Sequence, residues 1–221
     1  MTIPTLETKR LILRPLAHDD FDAVHSWASN PENTRYMAWG PNTAEDTKWF
    51  LSQAKVGEVF AIILKESGKV IGSGGIHPQS NNQMAELGWI LHIDYWKQGY
   101  GTELGGELIR YGFEDLKLHR IFAPCAAANY GSWRVMEKNG MRREALHKKA
   151  FWARVDEEWV DMVEYAILAE EYNGATLITK CPNVPVCTCP KTDCPNHSKC
   201  CSCIVKHREG GNLPFCLRET V

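Results

Sequence analysis

Between Trp96 and Thr102 the chain reads Trp-Lys-Gln-Gly-Tyr-Gly-Thr, and here residue types and spacing first suggest chemistry. Gly99 and Gly101 bracket Tyr100, so the backbone can approach a ligand with no Cβ in the way. Thr102 reads as a helix N-cap with Glu103 in the first turn. Leu104, Leu108, Tyr111 and Leu116 then recur at helical spacing. A turn that aims unpaired backbone N–H groups at the mouth of a helix is an anion site, and its natural ligand is a phosphate or pyrophosphate. Neither familiar nucleotide motif fits. Leu104 stands where the dinucleotide fingerprint needs its third glycine, and Glu107 and Leu108 stand where a P-loop needs Lys and Ser/Thr. The same residues also read as a plain strand–turn–helix corner.

A second concentration of reactive side chains lies at the other end. Eight of the nine cysteines fall after Lys180, at Cys181, Cys187, Cys189, Cys194, Cys200, Cys201, Cys203 and Cys216, with His197 and His207 among them. Residues 181–221 carry too few large apolar side chains to build a core, so something else must order them. In a reducing compartment metal thiolates replace disulfides, with zinc the first choice and an iron–sulfur cluster the second. The predicted ligands are Cys187, Cys189, Cys194, Cys200, Cys201, Cys203, His207 and Cys216. Cys-x-Cys occurs twice where Cys-x-x-Cys would match a standard finger, and a disordered, redox-labile tail is the competing reading. The segment is also similar to a small cysteine-rich family of unsettled function, through Cys-x-Cys, Cys-Cys-x-Cys and Leu213-Pro214-Phe215-Cys216.

Composition narrows the class. With 221 residues, 44% hydrophobic and 24% charged, the chain can bury a full core and reads as one domain plus an appendage. The tail is basic, with 5 Lys/Arg against 3 Asp/Glu, and the body acidic, with 20 against 24. Neither is basic enough to suggest a nucleic-acid partner. A mildly acidic body tolerates a cationic amine. No run reaches the length of a membrane span and MTIPTLETKR is no signal segment, so the expected location is cytoplasmic, with no membrane partner.

The elements that must position the turn follow from periodicity. Arg10–Leu16 alternates as a first strand, and His18 to about Ala28 forms a helix with Phe21, Val24 and Trp27 on one face, ended by Asn30-Pro31. Thr34–Met37 reads as a short helical turn. Thr43-x-x-Asp46 is a capping box opening a helix to about Lys55. Val59–Glu66 and Lys69–Ile76 form a hairpin, with Gly72, Gly74 and Gly75 marking a bulge or a close backbone approach. Met84–Ile93 is a largely buried strand leading into the glycine turn. After the helix come a strand at Arg120–Ala127, a helix over Asn129–Asn139 stopped by Gly140, and final antiparallel strands at Met141–Ala150 and Glu158–Leu168. Hairpins with one crossover predict an α+β domain with a mixed, mostly antiparallel sheet flanked by helices.

Trp96-Lys97-Gln98-Gly99-Tyr100-Gly101 resembles the pyrophosphate-binding motif Gln/Arg-x-x-Gly-x-Gly/Ala of the GNAT superfamily of acyl-CoA N-acyltransferases. The Trp in first place resembles the variant of its Rim-type branch, whose namesakes acetylate the N-termini of ribosomal proteins. The opening LETKRLILRPLAHDDFDAVHSWASNPENTRYM, Asn129-Tyr-Gly-Ser132, Glu137-Lys138-Asn-Gly140-Met141, Trp159-Val-Asp161 and Tyr165 are similar to that branch in the same order. The resemblance covers about residues 5–172. It implies a GNAT domain over 1–172, a linker at 173–180 and the cysteine-rich segment at 181–221.

The resemblance also implies an activity and a site. Acetyl-CoA would be the co-substrate, and the acceptor a primary amine on a protein N-terminus or a small molecule, attacked directly in a ternary complex. Such a reaction needs a base for the ammonium, a donor for the thioester oxygen as it gains charge, and a proton for the leaving thiolate. In GNAT folds a splayed central strand supplies the donors, which places them on Leu91, His92 and Ile93. The diphosphate would meet the amides of Gln98, Gly99, Tyr100, Gly101 and Thr102. Glu86 matches the general base, against the bland reading of a solvent-facing carboxylate, with His92 and His77 as rivals. Asn129 matches a pantetheine-binding Asn and also suits a turn. Ser132 matches a residue near the thiol and also suits a helix N-cap. Tyr36, Trp39, Trp49 and Phe50 line the acceptor cleft or belong to the core. Asp161 and Tyr165 match positions near the acceptor side, and Cys125 reads as a core thiol. The rival function is a non-catalytic acyl-CoA-binding scaffold or sensor whose cysteine-rich tail contacts a metal or a protein partner.

Overall fold

A computed structural model of the chain describes residues 5–54, 57–79 and 83–172. Strands are β1 (Leu6–Glu7), β2 (Leu11–Pro15), β3 (Val59–Leu64), β4 (Val70–Pro78), β5 (Met84–Leu91), β6 (Arg120–Ala126), β7 (Arg142–Ala153) and β8 (Glu158–Leu168). Helices are α1 (Phe21–Ala28), α2 (Pro31–Thr34), α3 (Ala44–Gln53), α4 (Tyr100–Arg110) and α5 (Tyr130–Lys138). The strands form one sheet in the order β1-β2-β3-β4-β5-β6-β8-β7. Every neighbouring pair is antiparallel except β5–β6, which is parallel because α4 carries the chain back between them. The expected α+β domain with a mixed, mostly antiparallel sheet is what these residues build.

Alternation along the strands sorts the core into two faces. In β3, Phe60, Ile62 and Leu64 join α4 residues Leu104 and Leu108 and α5 residue Met136, whereas Ala61 and Ile63 join α1 residues Val24 and Trp27 and α3 residue Leu51. β5 divides the same way, with Ala85 and Leu87 under α4 and Ile90 under α1. Each of the buried leucines of α4 contributes about 1.5–3 kcal/mol of burial. Gly72 shows why this hairpin is glycine-rich: a Cβ there would stand 2.3 Å from the Ile90 carbonyl oxygen. The ladder shifts register opposite it, between Ile62 and Ile63.

Local capping differs from the sequence expectation in several places. Asn30-Pro31 ends α1 but also starts α2: the Asn30 side chain accepts from the Glu32 amide at 2.9 Å, and Pro31 takes the first helical position, where no N–H is needed. The helical residues there are therefore Pro31–Thr34, not Thr34–Met37. The Thr43/Asp46 box forms as predicted, with Thr43 N–H donating to Asp46 at 2.9 Å. Strand β5 stops at Leu91, not Ile93. His92 Nδ1 accepts from the Asp94 amide at 3.2 Å and caps a 3-10 turn over Ile93–Tyr95. Helix α4 begins at Tyr100, so Thr102 lies within its first turn and Gly99 is the N-cap. Leu116 is 37% exposed because a π turn over Tyr111–Asp115 rotates it off the apolar stripe. Gly140 ends α5 in the left-handed region as expected, at φ 80°.

Candidate active site

The β5–β6 ladder is only three residues long, from Met84↔Arg120 to Glu86↔Phe122. Beyond it the two strands continue without pairing to each other, so the sheet opens between Leu87–Leu91 and Ala123–Ala126. Which amides face that opening follows from the other edge of β5. The His92 amide donates to the Ile71 carbonyl at 2.8 Å, toward β4. Residues alternate along a ladder, so Leu91 and Trp89 direct their polar groups away from β4 and into the opening. The Leu91 carbonyl confirms the direction: it accepts from Asn33 Nδ2 at 2.7 Å and from Trp96 Nε1 at 2.8 Å, and from no strand.

This corrects part of the sequence reading. Of the predicted donors Leu91, His92 and Ile93, only Leu91 has its amide on the open edge. His92 is engaged with Ile71, and the Ile93 amide donates to Asn33 Oδ1 at 3.1 Å. Trp89, two residues upstream, shares the open edge with Leu91 by alternation. Asn33, Trp89 and the indole of Trp96 are the residues the sequence did not reveal. An Asn two residues after a proline gives no sign that its amide will complete the end of the central strand.

The glycine turn lies directly after this strand. Lys97 and Gly99 both take left-handed backbone, at φ 59° and 84°. The Gln98 side chain holds the turn by donating to the Asp94 carbonyl at 2.8 Å. The first intrahelical bond of α4 runs from Glu103 N–H to the Gly99 carbonyl at 3.1 Å, and no side chain caps the helix. The amides of Tyr100, Gly101 and Thr102 therefore precede the ladder of the helix, at its positive end. An unblocked helix mouth at the foot of an open strand edge fits a ligand with a diphosphate and an amide-bearing arm.

At the far side of the opening, Asn129 is the N-cap of α5, with Oδ1 accepting from the Ser132 amide at 3.2 Å. Ser132 is thus in the first turn and not the cap. Its side chain acts on the Cys125 thiol. Burial pushes that thiol up to about 11, against the pull of Ser132 and the Trp133 amide. Cys125 is therefore protonated near neutrality, consistent with a core thiol and not a nucleophile.

Glu86 shares the α1/α3 face with Ile90 by alternation. It stands opposite His77 across the β4–β5 ladder. Burial raises its carboxyl above the ordinary glutamate value; His77 opposes this and Glu164 adds to it. His77 Nδ1 in turn lies 4.0 Å from Glu58 Oε2. Glu58 and Glu86 thus flank the His77 imidazole, while Glu164, on the other side of Glu86, is paired with Arg120 at 3.3 Å. Arg35, just after α2, joins Asp156 of the β7–β8 turn at 2.9 Å. Trp39 is 38% exposed and stacks on Phe50, and Trp49 is 67% exposed, so neither tryptophan belongs to the core. Tyr165 faces the other way, under α5, where its hydroxyl donates to Glu137 at 3.2 Å. Asp161 is taken up by Lys148 and the Lys149 amide in the β7–β8 hairpin. Tyr165 thus lies on the opposite face of the sheet from Glu86, and Asp161 is engaged within the hairpin.

Among the described residues no group of three His, Cys, Asp or Glu side chains is placed to hold a metal ion. The predicted ligands from Cys187 to Cys216 lie outside the described residues. No helix among the described residues is long and apolar enough to cross a membrane.

Comparison with known proteins agrees with this geometry. The model of the acetyltransferase (GNAT) domain matches residues 10–142. The chain is 36% identical over 170 residues to the uncharacterized N-acetyltransferase YnaD of Bacillus subtilis, covering 76% of this chain and 99% of that protein. The crystal structure of a GNAT-family acetyltransferase from Bacillus anthracis superposes with a TM-score of 0.70 at 36% identity, over 76% of this chain and 99% of the other. Ribosomal-protein-S5-alanine acetyltransferase from Vibrio fischeri shares the fold at 19% identity, with a TM-score of 0.63 over 77% of this chain and 100% of its own. With an open central strand leading into an uncapped helix, and a family model spanning both, the chain belongs to the GNAT family of acetyl-CoA-dependent N-acetyltransferases.

Proposed function

We propose that this enzyme acetylates a cationic primary amine, on a peptide N-terminus or a small molecule, by direct attack with Glu86 as the general base, in the manner of the Rim-type branch. The observation that carries the reading is the coincidence of three features along one strand: a half-buried carboxyl at Glu86, an open edge at Trp89 and Leu91, and an uncapped helix mouth from Tyr100 onward. Acetyl-CoA, when bound, supplies the activated thioester. The Tyr100–Thr102 amides, with those of Gln98 and Gly99, hold its diphosphate. The Trp89 and Leu91 amides serve the pantetheine arm and the carbonyl oxygen, and Asn129 Nδ2 is placed to add a contact on the far side. Ser132 is the candidate proton donor to sulfur.

On the acceptor side the carboxylates attract an ammonium and Glu86 removes its proton. A carboxyl raised by burial is a stronger base than an exposed one, which shortens the gap to an amine. Holding both partners in one cleft makes a covalent enzyme intermediate unnecessary. The test is release of free CoA thiol from acetyl-CoA against a panel of amines, polyamines and peptides. Amine-dependent release, highest for cationic acceptors, is expected. CoA binding without release for any acceptor would favour the scaffold reading instead.

A further inference from the structure

Arg10 lies just before β2, far from the glycine turn in sequence, yet its side chain reaches that turn from behind. Nη1 donates to the Gln98 carbonyl at 3.0 Å, and Nε donates to Glu103 Oε2 at 2.6 Å. The guanidinium lies over the Tyr100 ring, 4.3 Å from its centroid. The Arg10 amide and the Thr8 hydroxyl both donate to Glu103 Oε1, at 2.7 and 2.5 Å. A Cβ on Gly99 would stand 3.4 Å from Arg10 Nη2. One residue thus touches the carbonyl before Gly99, the space beside Gly99, and the first two charged or aromatic side chains of α4.

Two consequences follow from elementary geometry. In a trans peptide the carbonyl and the N–H point in opposite directions. The Gln98–Gly99 bond is trans, so drawing the Gln98 carbonyl toward Arg10 turns the Gly99 amide away from it, outward over the helix mouth. Glu103 is also the acidic residue in the first turn of α4, where its charge would repel an incoming anion. Its pairing with Arg10 removes that obstacle.

We propose that Arg10 is a positioning residue for the diphosphate of CoA: it aims the Gly99 amide and neutralises Glu103, without itself contacting the reacting atoms. The proposal rests on the CoA reading of the turn. It predicts a loss specific to ligands that carry the diphosphate, and a requirement for the forked guanidinium, because a lysine ammonium cannot occupy the Nε and Nη1 positions together.

The experiment is calorimetric titration of full-length wild type, Arg10→Gln and Arg10→Lys with CoA, dephospho-CoA and pantetheine, with thermal melts run alongside. Loss of hydrogen bonds to a charged group corresponds to about tenfold in affinity. Both variants are expected to weaken CoA and dephospho-CoA alike by about tenfold, while pantetheine affinity changes by less than about twofold. Equal losses for all three ligands would mean general damage to the fold and overturn the proposal. So would wild-type CoA affinity in Arg10→Lys, which would show that charge alone suffices. A loss for CoA but not dephospho-CoA would replace positioning by a direct contact with the 3′-phosphate. Wild type that binds CoA no better than pantetheine would bring down the diphosphate reading itself, whatever the variants do.

Discussion

Glu86 is where a single residue's environment has the clearest functional consequence. Burial raises its carboxyl and Glu164 adds to the rise, with His77 acting against both. A base must be ionised to accept a proton, so turnover should fall as pH drops through this raised value, above the usual 4.5 for glutamate. Glu86→Gln should lower turnover by on the order of a hundredfold and flatten that acid limb, with CoA affinity unchanged. Turnover against pH for both proteins is the measurement. An acid limb that persists in the variant would assign it to another group. The candidate Glu86 was readable from its place at the head of the central strand. Its face of the sheet and its neighbours Glu58, His77 and Glu164 were not, because they come from the turn before β3, from β4 and from β8.

At the scale of elements, the turn between β5 and α4 is held by backbone conformation as much as by side chains. Gly99 sits at φ 84°, where an L side chain costs about 1–2 kcal/mol. A Cβ there would meet Arg10 Nη2 at an ordinary contact distance of 3.4 Å. Gly99→Ala should therefore lose about 1–2 kcal/mol in urea unfolding and bind CoA more weakly by about tenfold, read by calorimetry. Unchanged CoA affinity would show that the turn's conformation is not what the ligand reads. Elements like this one were legible because their signals are local: Thr43 and Asp46 are three residues apart, Gly140 follows the last turn of α5, and the apolar positions of α4 recur at 104 and 108. The ends of elements were less so. Thr102 looks like a cap, but the left-handed Gly99 starts the helix earlier. Ile93 looks like strand, but His92 caps a turn with its own ring.

For the molecule as a whole, the parts of the cleft all fall between Leu6 and Leu168. The two helical faces of the sheet draw their described residues from Leu6 to Tyr172. Protein ending at residue 172 should therefore fold and bind CoA within about twofold of full length, by melting and calorimetry. If the cysteine-rich segment holds zinc as its composition suggests, metal analysis of reduced protein should find the ion in full-length chain and not in the shortened one. A shortened chain that failed to bind CoA would make residues 173–221 part of the site.

By itself the sequence determined the order of the main strands and helices, the glycine turn between β5 and α4, the half-buried thiol at Cys125 and the kinship with acyltransferases. Each of these rests on side-chain type, period or short-range spacing. Only the tertiary structure decided which amides are open, that Asn33 closes off Ile93 across 60 positions, and that Arg10 stands behind the glycine turn. A backbone donor is available or engaged according to what packs against it. That partner is chosen by the fold and leaves no trace in the local run of residues.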